Sequence, residues 1–413
     1  MSRPKPRVVL PPEVAADDAI TVAGYQQAAA RTDKMDRDDI GTPVLGLFGE
    51  IGSLLATLKK KRREGSVYAT YDETILEELG DVLWYLNTVA SHAHLEVVDI
   101  ASHVPHDGFA AWNAATPDGA LTFQVLQTHA KNEPLSVTAS ASELAGYVGE
   151  LVEAHRTGKL QGNRDAISGR LLGILRALIG TAQAAGVSLD VAARENLYKT
   201  FSRWPLDPDN PAYPRAEIPD DDLPPNERFP RHFEMFIKEH TVAGKTYVLQ
   251  KRNDVIIGDR LTDNKAKKDD YRFHDVFHIA YAVHLGWSPV LRALFKVKRK
   301  SRPELDENED GARAILIEEG IATIVFGRAL ERQLFEGLPH LDYDLLKLVQ
   351  ELVRGFEAER FAAWQWERAI LDGFKVFRAI TQSKERGGWV IADLDQHTFE
   401  FVPGNEDARH RRS

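Results

Sequence analysis

Apolar residues recur at helical spacing through the first half of the chain. Between Val44 and Lys61 they occupy Leu45, Phe48, Ile51, Leu54, Leu55 and Leu58; between Glu73 and His94 they occupy Ile75, Leu79, Val82, Leu83, Leu86 and Val89. A return every three or four residues predicts two amphipathic helices. Gly65 and Ser66 lie between them, so the pair predicts an αα-hairpin, the building unit of helical bundles. The pattern then comes back. Gly46, Gly49 and Glu50 recur as Gly146, Gly149 and Glu150 at an offset of 100, and the stretch from Ile75 to Ile100 resembles Ile167 to Ala192 at an offset of 92. Tyr25-Gln26 before the first hairpin is echoed by Phe123-Gln124 before the second. Coincidence at several positions in short windows favours duplication over chance likeness between amphipathic helices.

The second half opens differently. Phe233 to His240 and Thr246 to Lys251 are β-rich runs around Val242-Ala243-Gly244-Lys245, and Trp389 to Leu394 with Thr398 to Val402 form a second pair, which predicts two β-hairpins. Helical patterns near 270–286, 310–337 and 343–381 lie between them. The expected fold class is therefore mainly α: an N-terminal helical bundle from a tandem repeat, then an α+β, mostly helical C-terminal domain. Residues 205–230 hold eight prolines in 26 residues, with Asp220, Asp221 and Asp222 among them. Such a stretch breaks helices and resists collapse, so it predicts an extended linker. The expected boundaries are a frayed N-terminus over 1–16, the helical domain over 17–204 (copies at about 20–105 and 120–204), the linker over 205–230, the C-terminal domain over 231–404 and a frayed tail over 405–413.

Composition adjusts this picture modestly. The chain has 413 residues, 43% of them hydrophobic and 28% charged, which fits a globular protein. The formal charge of −10 argues against wrapping duplex nucleic acid. No uninterrupted apolar run has the length of a membrane span, and the N-terminal residues lack the apolar core of a signal peptide. Without cysteine there is no disulfide and no thiolate metal site. Together these predict a cytoplasmic protein that binds no membrane.

Candidate chemistry begins with carboxylates. Glu50 lies on the first helix of the hairpin, and Glu78 and Asp81 share one face of the second. Antiparallel packing can bring all three to one point, where hard oxygen ligands suit Mg²⁺ shared with substrate phosphates. Glu78 and Asp81 are set in a mostly apolar helix, Leu79-Gly80 and Val82-Leu83-Trp84-Tyr85-Leu86, where a carboxylate needs a partner. Glu77 beside them is either a proton acceptor or a solvated surface charge. Lys59, at the start of the basic run Lys59 to Arg63, is a candidate for attracting triphosphate, although such a run more often complements the helix dipole. Trp84 and Tyr85 can stack on a base or pack in the core.

Gly46-Leu47-Phe48-Gly49-Glu50-Ile51-Gly52 with Lys59-Lys60, followed by Glu77-Glu78-Leu79-Gly80-Asp81-Val82-Leu83-Trp84-Tyr85-Leu86, resembles the MazG-like all-α nucleoside triphosphate pyrophosphohydrolases. Tyr25-Gln26 and Thr32 are similar to that family's first helix. The resemblance covers residues 20 to 205. It implies an ExxE helix facing an ExxD helix around Mg²⁺ (or Mn²⁺), with Glu50, Glu78 and Asp81 as metal ligands. The second Glu of ExxE falls on Ser53, a departure. The second copy keeps ExxE as Glu150 and Glu153, but its ExxD positions are Arg170 and Gly173. It ends in Asn196-Leu197-Tyr198-Lys199, which resembles the family's substrate-approaching Asn and Lys; the first copy has Val104 and Asp107 there.

Each copy is thus incomplete in a complementary way. The expectation is a fusion that imitates the family's homodimer, with one composite site in which Asn196 and Lys199 reach phosphates held at Glu50, Glu78 and Asp81. The implied reaction is hydrolysis of a nucleoside triphosphate to monophosphate and pyrophosphate, with Glu77 or Glu50 accepting the proton. The competing expectation is a nucleotide-sensing or scaffold protein with a degenerate pair. The fused repeat either replaces a homodimer or sits inside a larger homo-oligomer.

The C-terminal region carries a second constellation. His274 and His278 are spaced i, i+4 with Asp275 beside them, and Glu318 and Glu319 interrupt the apolar run from Ala314 to Ala322. Imidazoles and carboxylates on two packed helices form either a second divalent metal site, an acid–base site or a buried hydrogen-bond network. The basic cluster Lys296, Lys298, Arg299, Lys300 and Arg302 reads as solvated surface.

Overall fold

The computed structural model describes residues 8–14, 18–104, 120–129, 135–209, 218 and 220–406. The chain divides into two compact units, Val8–Asn210 and Pro211–Ser413. The class is mainly α, with a small antiparallel sheet in the second unit.

The N-terminal unit contains helices α1 (Val22–Thr32), α2 (Gly41–Glu64), α3 (Tyr71–His92), α4 (Val97–Ala101), α5 (Phe123–His129), α6 (Val137–Arg156), α7 (Arg164–Ala185) and α8 (Leu189–Arg203). The turn chemistry is local. Asp39 Oδ1 accepts from Gly41 N at 2.7 Å at the start of α2, and Gly65 turns the chain at φ +61° at its end. Ser136, Asn163 and Ser188 cap α6, α7 and α8 with side-chain oxygens. The two hairpins pack on each other, α2 against α3 and α6, and α3 against α7 and α8. By length and composition α2 is apolar enough to cross a membrane. Here its buried stripe runs Val44, Leu47, Ile51, Leu54 and Leu58. Leu45 and Phe48, expected on that stripe, lie on its flank and are 62% and 50% exposed.

The order short, long, long, short helix occurs twice, and it repeats in detail. Gln26 Oε1 accepts from Val97 N at 2.8 Å and its Nε2 donates to Leu95 O at 2.8 Å. Gln127 Oε1 accepts from Leu189 N at 2.9 Å and its Nε2 donates to Val187 O at 2.7 Å. Each glutamine therefore ties the same two backbone atoms ahead of α4 and α8. The structural counterpart of Gln26 is thus Gln127, at an offset of 101, and not Gln124. Thr21 and Thr122, at the same offset, meet in an isolated antiparallel bridge. The segment before α1 is not frayed throughout, since Leu10 and Val14 are buried in the bundle core.

The C-terminal unit has strands β1 (His232–Val242), β2 (Lys245–Arg252), β3 (Val255–Leu261), β4 (Gly387–Asp393) and β5 (Thr398–Pro403), and helices α9 (Asp275–Leu285), α10 (Pro289–Leu294), α11 (Pro303–Asn308), α12 (Ala312–Leu330), α13 (Tyr343–Leu352) and α14 (Ala363–Gln382). The sheet order is β3-β2-β1-β4-β5, antiparallel throughout, so the two expected hairpins join through β1 and β4. Ala243 and Gly244 at φ +51° and +76° make the tight turn between β1 and β2. β3, an exposed edge strand, has no alternating burial and left no clear pattern in the sequence. The expected helix over 343–381 is broken in two, with Gly355 at φ +85° in the break. Helix α12 stops at Leu330, before the left-handed run Gln333 to Phe335.

Two surface readings are corrected. Residues 220–230 are not an extended linker: Asp220 is fully buried, accepts from Phe229 N at 2.7 Å and pairs with Arg231 at 2.9 Å, while Leu223 and Phe229 are buried beside it. Arg299 is not solvated either; it is 1% exposed and held by Asp310 and Glu357 at 2.8 and 2.9 Å. A proline-rich acidic stretch and a basic cluster look solvated in sequence, but each hides charge that is satisfied inside the fold.

Candidate active site

Helices α2, α3 and α8 supply one cluster of the N-terminal unit. Carboxylate oxygens of Glu50, Glu78 and Asp81 all lie within 4.8 Å of one another. Asp81 is held from the second half of the bundle: Asn196 Nδ2 donates to its Oδ1 at 2.9 Å and Lys199 Nζ to its Oδ2 at 2.5 Å. Lys199 also pairs with Glu77 at 2.8 Å. Tyr25 completes the chain of contacts by donating to Asn196 Oδ1 at 2.9 Å. Of the residues singled out in the sequence, Glu50, Glu77, Glu78, Asp81, Asn196 and Lys199 therefore meet in one place. Lys59 does not join them; it is exposed on a later turn of α2. Its neighbours Lys60 and Lys61 lie over the Tyr68 and Tyr71 rings at 4.1 and 4.6 Å. Ser53 is exposed and brings no ligand.

Glycine makes the approach of α8 possible. A Cβ on Gly80 would stand 2.8 Å from Ala192 O and 3.0 Å from the Asn196 Cβ. Gly80→Ala is therefore expected to push α8 off α3, destabilising the protein by about 1–3 kcal/mol. Thermal unfolding of this variant, read beside its Mg²⁺ affinity, checks the point: a stable protein with unaltered affinity would mean that α8 does not need that proximity.

Crowded, half-buried carboxylates raise one another's pKa. Burial, then the charges of Asp81 and Glu77, lifts Glu50 to about 7 against the pull of Lys199. Burial, with Asp81, Glu50 and Glu77, lifts Glu78 to about 7. Burial works against the Lys199 ammonium, yet Asp81 and Glu77 hold it above its ordinary range. The cluster thus has more negative charge than Lys199 alone neutralises.

A cavity of about 290 Å³ opens over Glu50 and Asp81, at the small end of ligand pockets. Trp84, Tyr85 and Trp204 form its aromatic walls and Lys34 stands at its edge. Trp84 Nε1 donates to Thr32 Oγ1 at 3.1 Å, and its ring meets Tyr85 edge-on at 4.9 Å. Trp84 is thus both packed and exposed to the cavity. Lys34 and Trp204 were missed in the sequence, where a lone lysine after a helix and a tryptophan before prolines carry no spacing signal.

The matching place in the second helical hairpin carries no comparable cluster. Glu153 is exposed and forks onto Arg156 at 2.7 and 2.8 Å, Glu150 is exposed, and the Tyr147 ring stands 3.0 Å from where a Gly173 Cβ would be. No metal-ligating group forms there among the described residues. Val104 is buried, and Asp107 lies outside the described residues.

In the C-terminal unit, α9 and the turn before it bring His274, Asp275 and His278 together, with ligand atoms within 4.8 Å of one another. The two glutamates of α12 separate. Glu319 Oε2 faces both imidazoles, 3.6 Å from each Nε2. Glu318 is fully buried behind His278, accepting from its Nδ1 at 2.8 Å, from Ser288 Oγ at 2.6 Å and from Val290 N at 2.8 Å.

Residues 215–405 match the family model described as the MazG C-terminal domain. No curated protein and no solved structure matches the chain significantly. The C-terminal part of this chain is therefore MazG-related.

Proposed function

We propose that the N-terminal unit is a divalent-metal-dependent nucleoside triphosphate pyrophosphohydrolase working through one composite site. The carrying observation is that Asp81, on one hairpin, is bonded on both oxygens by Asn196 and Lys199 from the other half of the bundle. The duplicate glutamine ties of Gln26 and Gln127 support reading the bundle as two fused copies, in which one site has decayed. The MazG-related C-terminal part supports the same family for the enzyme.

The donor set fits Mg²⁺: oxygen ligands only, converging from two helices, with Glu50 and Glu78 raised to about 7 by burial and by the neighbouring carboxylates. Glu50, Glu78 and Asp81 would hold the ion, which when bound offsets phosphate charge and makes a water more acidic. The protein's own residues do the rest. Lys199 and Asn196 fix the Asp81 carboxylate. The two candidate proton acceptors differ in their commitments: Glu50 lines the cavity but would be a ligand of the ion, and Glu77 is paired with Lys199. Lys34 is placed to meet phosphate, and Trp84 and Trp204 offer faces to a base.

Pyrophosphate release from a panel of nucleoside and deoxynucleoside triphosphates with Mg²⁺ or Mn²⁺ tests this reading. Turnover with a nucleoside monophosphate as co-product is expected, reduced at least ~100-fold in Glu78→Gln. Nucleotide binding without pyrophosphate release from any substrate would instead make the unit a sensor.

A further inference from the structure

The C-terminal cluster has the geometry of a second, chemically different metal centre. His274 Nδ1 bonds Tyr271 O at 2.9 Å and His278 Nδ1 bonds Glu318 Oε1 at 2.8 Å. Both partners are acceptors, so each ring donates from Nδ1 and leaves Nε2 as the atom turned into the cluster. Both Nε2 atoms turn toward Glu319. His278 is fully buried, and its Nε2 has no hydrogen-bond partner. A buried ring nitrogen without a hydrogen-bond partner is costly and calls for a group to satisfy it. Asp275 Oδ1 is 3.2 Å from His274 Nε2, and its other oxygen is held by Gln250 Nε2.

The spacing fits a shared ion. Ligand atoms about 2.0–2.2 Å from one metal stand roughly 3.0–3.5 Å apart in tetrahedral or octahedral arrangement. The observed separations are 3.2 Å and twice 3.6 Å, the latter too long for hydrogen bonds. The surrounding contacts are also those of a metal site: a carboxylate and a backbone carbonyl orient the imidazoles from behind, and an amide orients the Asp. Glu319 is 38% exposed, so the cluster is reached from solvent on that side.

We propose that His274, Asp275, His278 and Glu319 bind one divalent first-row transition-metal ion, with Glu318, Tyr271 and Gln250 as positioning residues and the solvent side open to a water or an anionic oxygen ligand. Two imidazoles with two carboxylates favour Zn²⁺, Fe²⁺, Co²⁺ or Mn²⁺ over Mg²⁺. The inference is independent of the reaction assigned to the N-terminal unit.

Cobalt reports on it directly. Full-length protein carrying Glu78→Gln, which weakens the other site, is stripped with chelator and titrated with Co²⁺. One equivalent should bind with visible d–d absorption, be displaced by Zn²⁺ and resist millimolar Mg²⁺. His274→Ala should weaken binding at least ~100-fold, and Glu319→Gln and Glu318→Gln by about 10–100-fold, with far-UV circular dichroism unchanged. His274 lies at the helix end, so its variant tests the site even if a change at buried His278 unfolds the protein. Absence of stoichiometric Co²⁺ binding in the folded protein overturns the proposal, as does a cobalt spectrum that ignores both His274→Ala and Glu319→Gln.

Discussion

An Asp81→Asn protein is expected to lose Mg²⁺-dependent pyrophosphate release by about 10³-fold or more while remaining folded. Asn matches Asp in shape but cannot supply the charge that a hard cation needs. It also removes the anion that anchors Lys199 and Asn196 over the cavity. Stability should move the other way. Asp81 is one of the charges that raise Glu50 and Glu78, so its removal relieves repulsion in the metal-free protein, which offsets the lost pair with Lys199 because Lys199 keeps Glu77 as a partner. Thermal unfolding without metal at pH 8 should therefore show a melting temperature equal to or above that of the parent, a common signature of functional sites. A variant that still turns over at the parental rate would remove Asp81 from the site. One that is inactive because it has unfolded would show that Asp81 is needed for packing.

Lys199→Met should shift the pH dependence of the site as well as its rate. In the metal-free fold Glu50 and Glu78 keep their protons up to about pH 7, whereas unfolded glutamates release them near their ordinary value of 4.5. Over that window the folded state binds more protons than the unfolded one, so stability falls as pH rises and levels off above about 7. Mg²⁺ competes for the same oxygens, so its affinity climbs through the same window. Lys199 pulls both pKa values down. Without its charge, the carboxylates around it (Glu50, Glu77, Glu78 and Asp81) repel one another more strongly, and the climb should move to higher pH by roughly one unit. At pH 7.5 turnover should fall on the order of 100-fold. Calorimetric Mg²⁺ titrations between pH 5.5 and 9 measure the midpoint; a midpoint identical to the parent's would show that Lys199 is not coupled to the cluster.

Much of the N-terminal unit was legible because its signals are local. The 3.6-residue apolar period placed α2 and α3, and Gly65 marked where α2 stops. The i, i+3 spacing of Glu78 and Asp81 and the i, i+4 spacing of His274 and His278 also survive in one dimension, since a helix converts such spacing into a shared face. Short or irregular elements did not show: α4, α5, α10 and α11 are too brief to display a period, and β3 is an edge strand without alternation.

What the sequence determined, then, is the set of helices, the strands with alternating or β-rich runs, and the chemical type of each candidate ligand, all fixed by interactions within a few residues. Tertiary structure alone decided the partners. It chose Glu319 over Glu318 to face the histidines, put Lys199 against Asp81 and left Lys59 in solvent, buried Asp220 and Arg299, and matched Gln127 to Gln26. Each of those outcomes depends on where a distant segment comes to rest, and neighbouring residues hold no record of that until the core has formed.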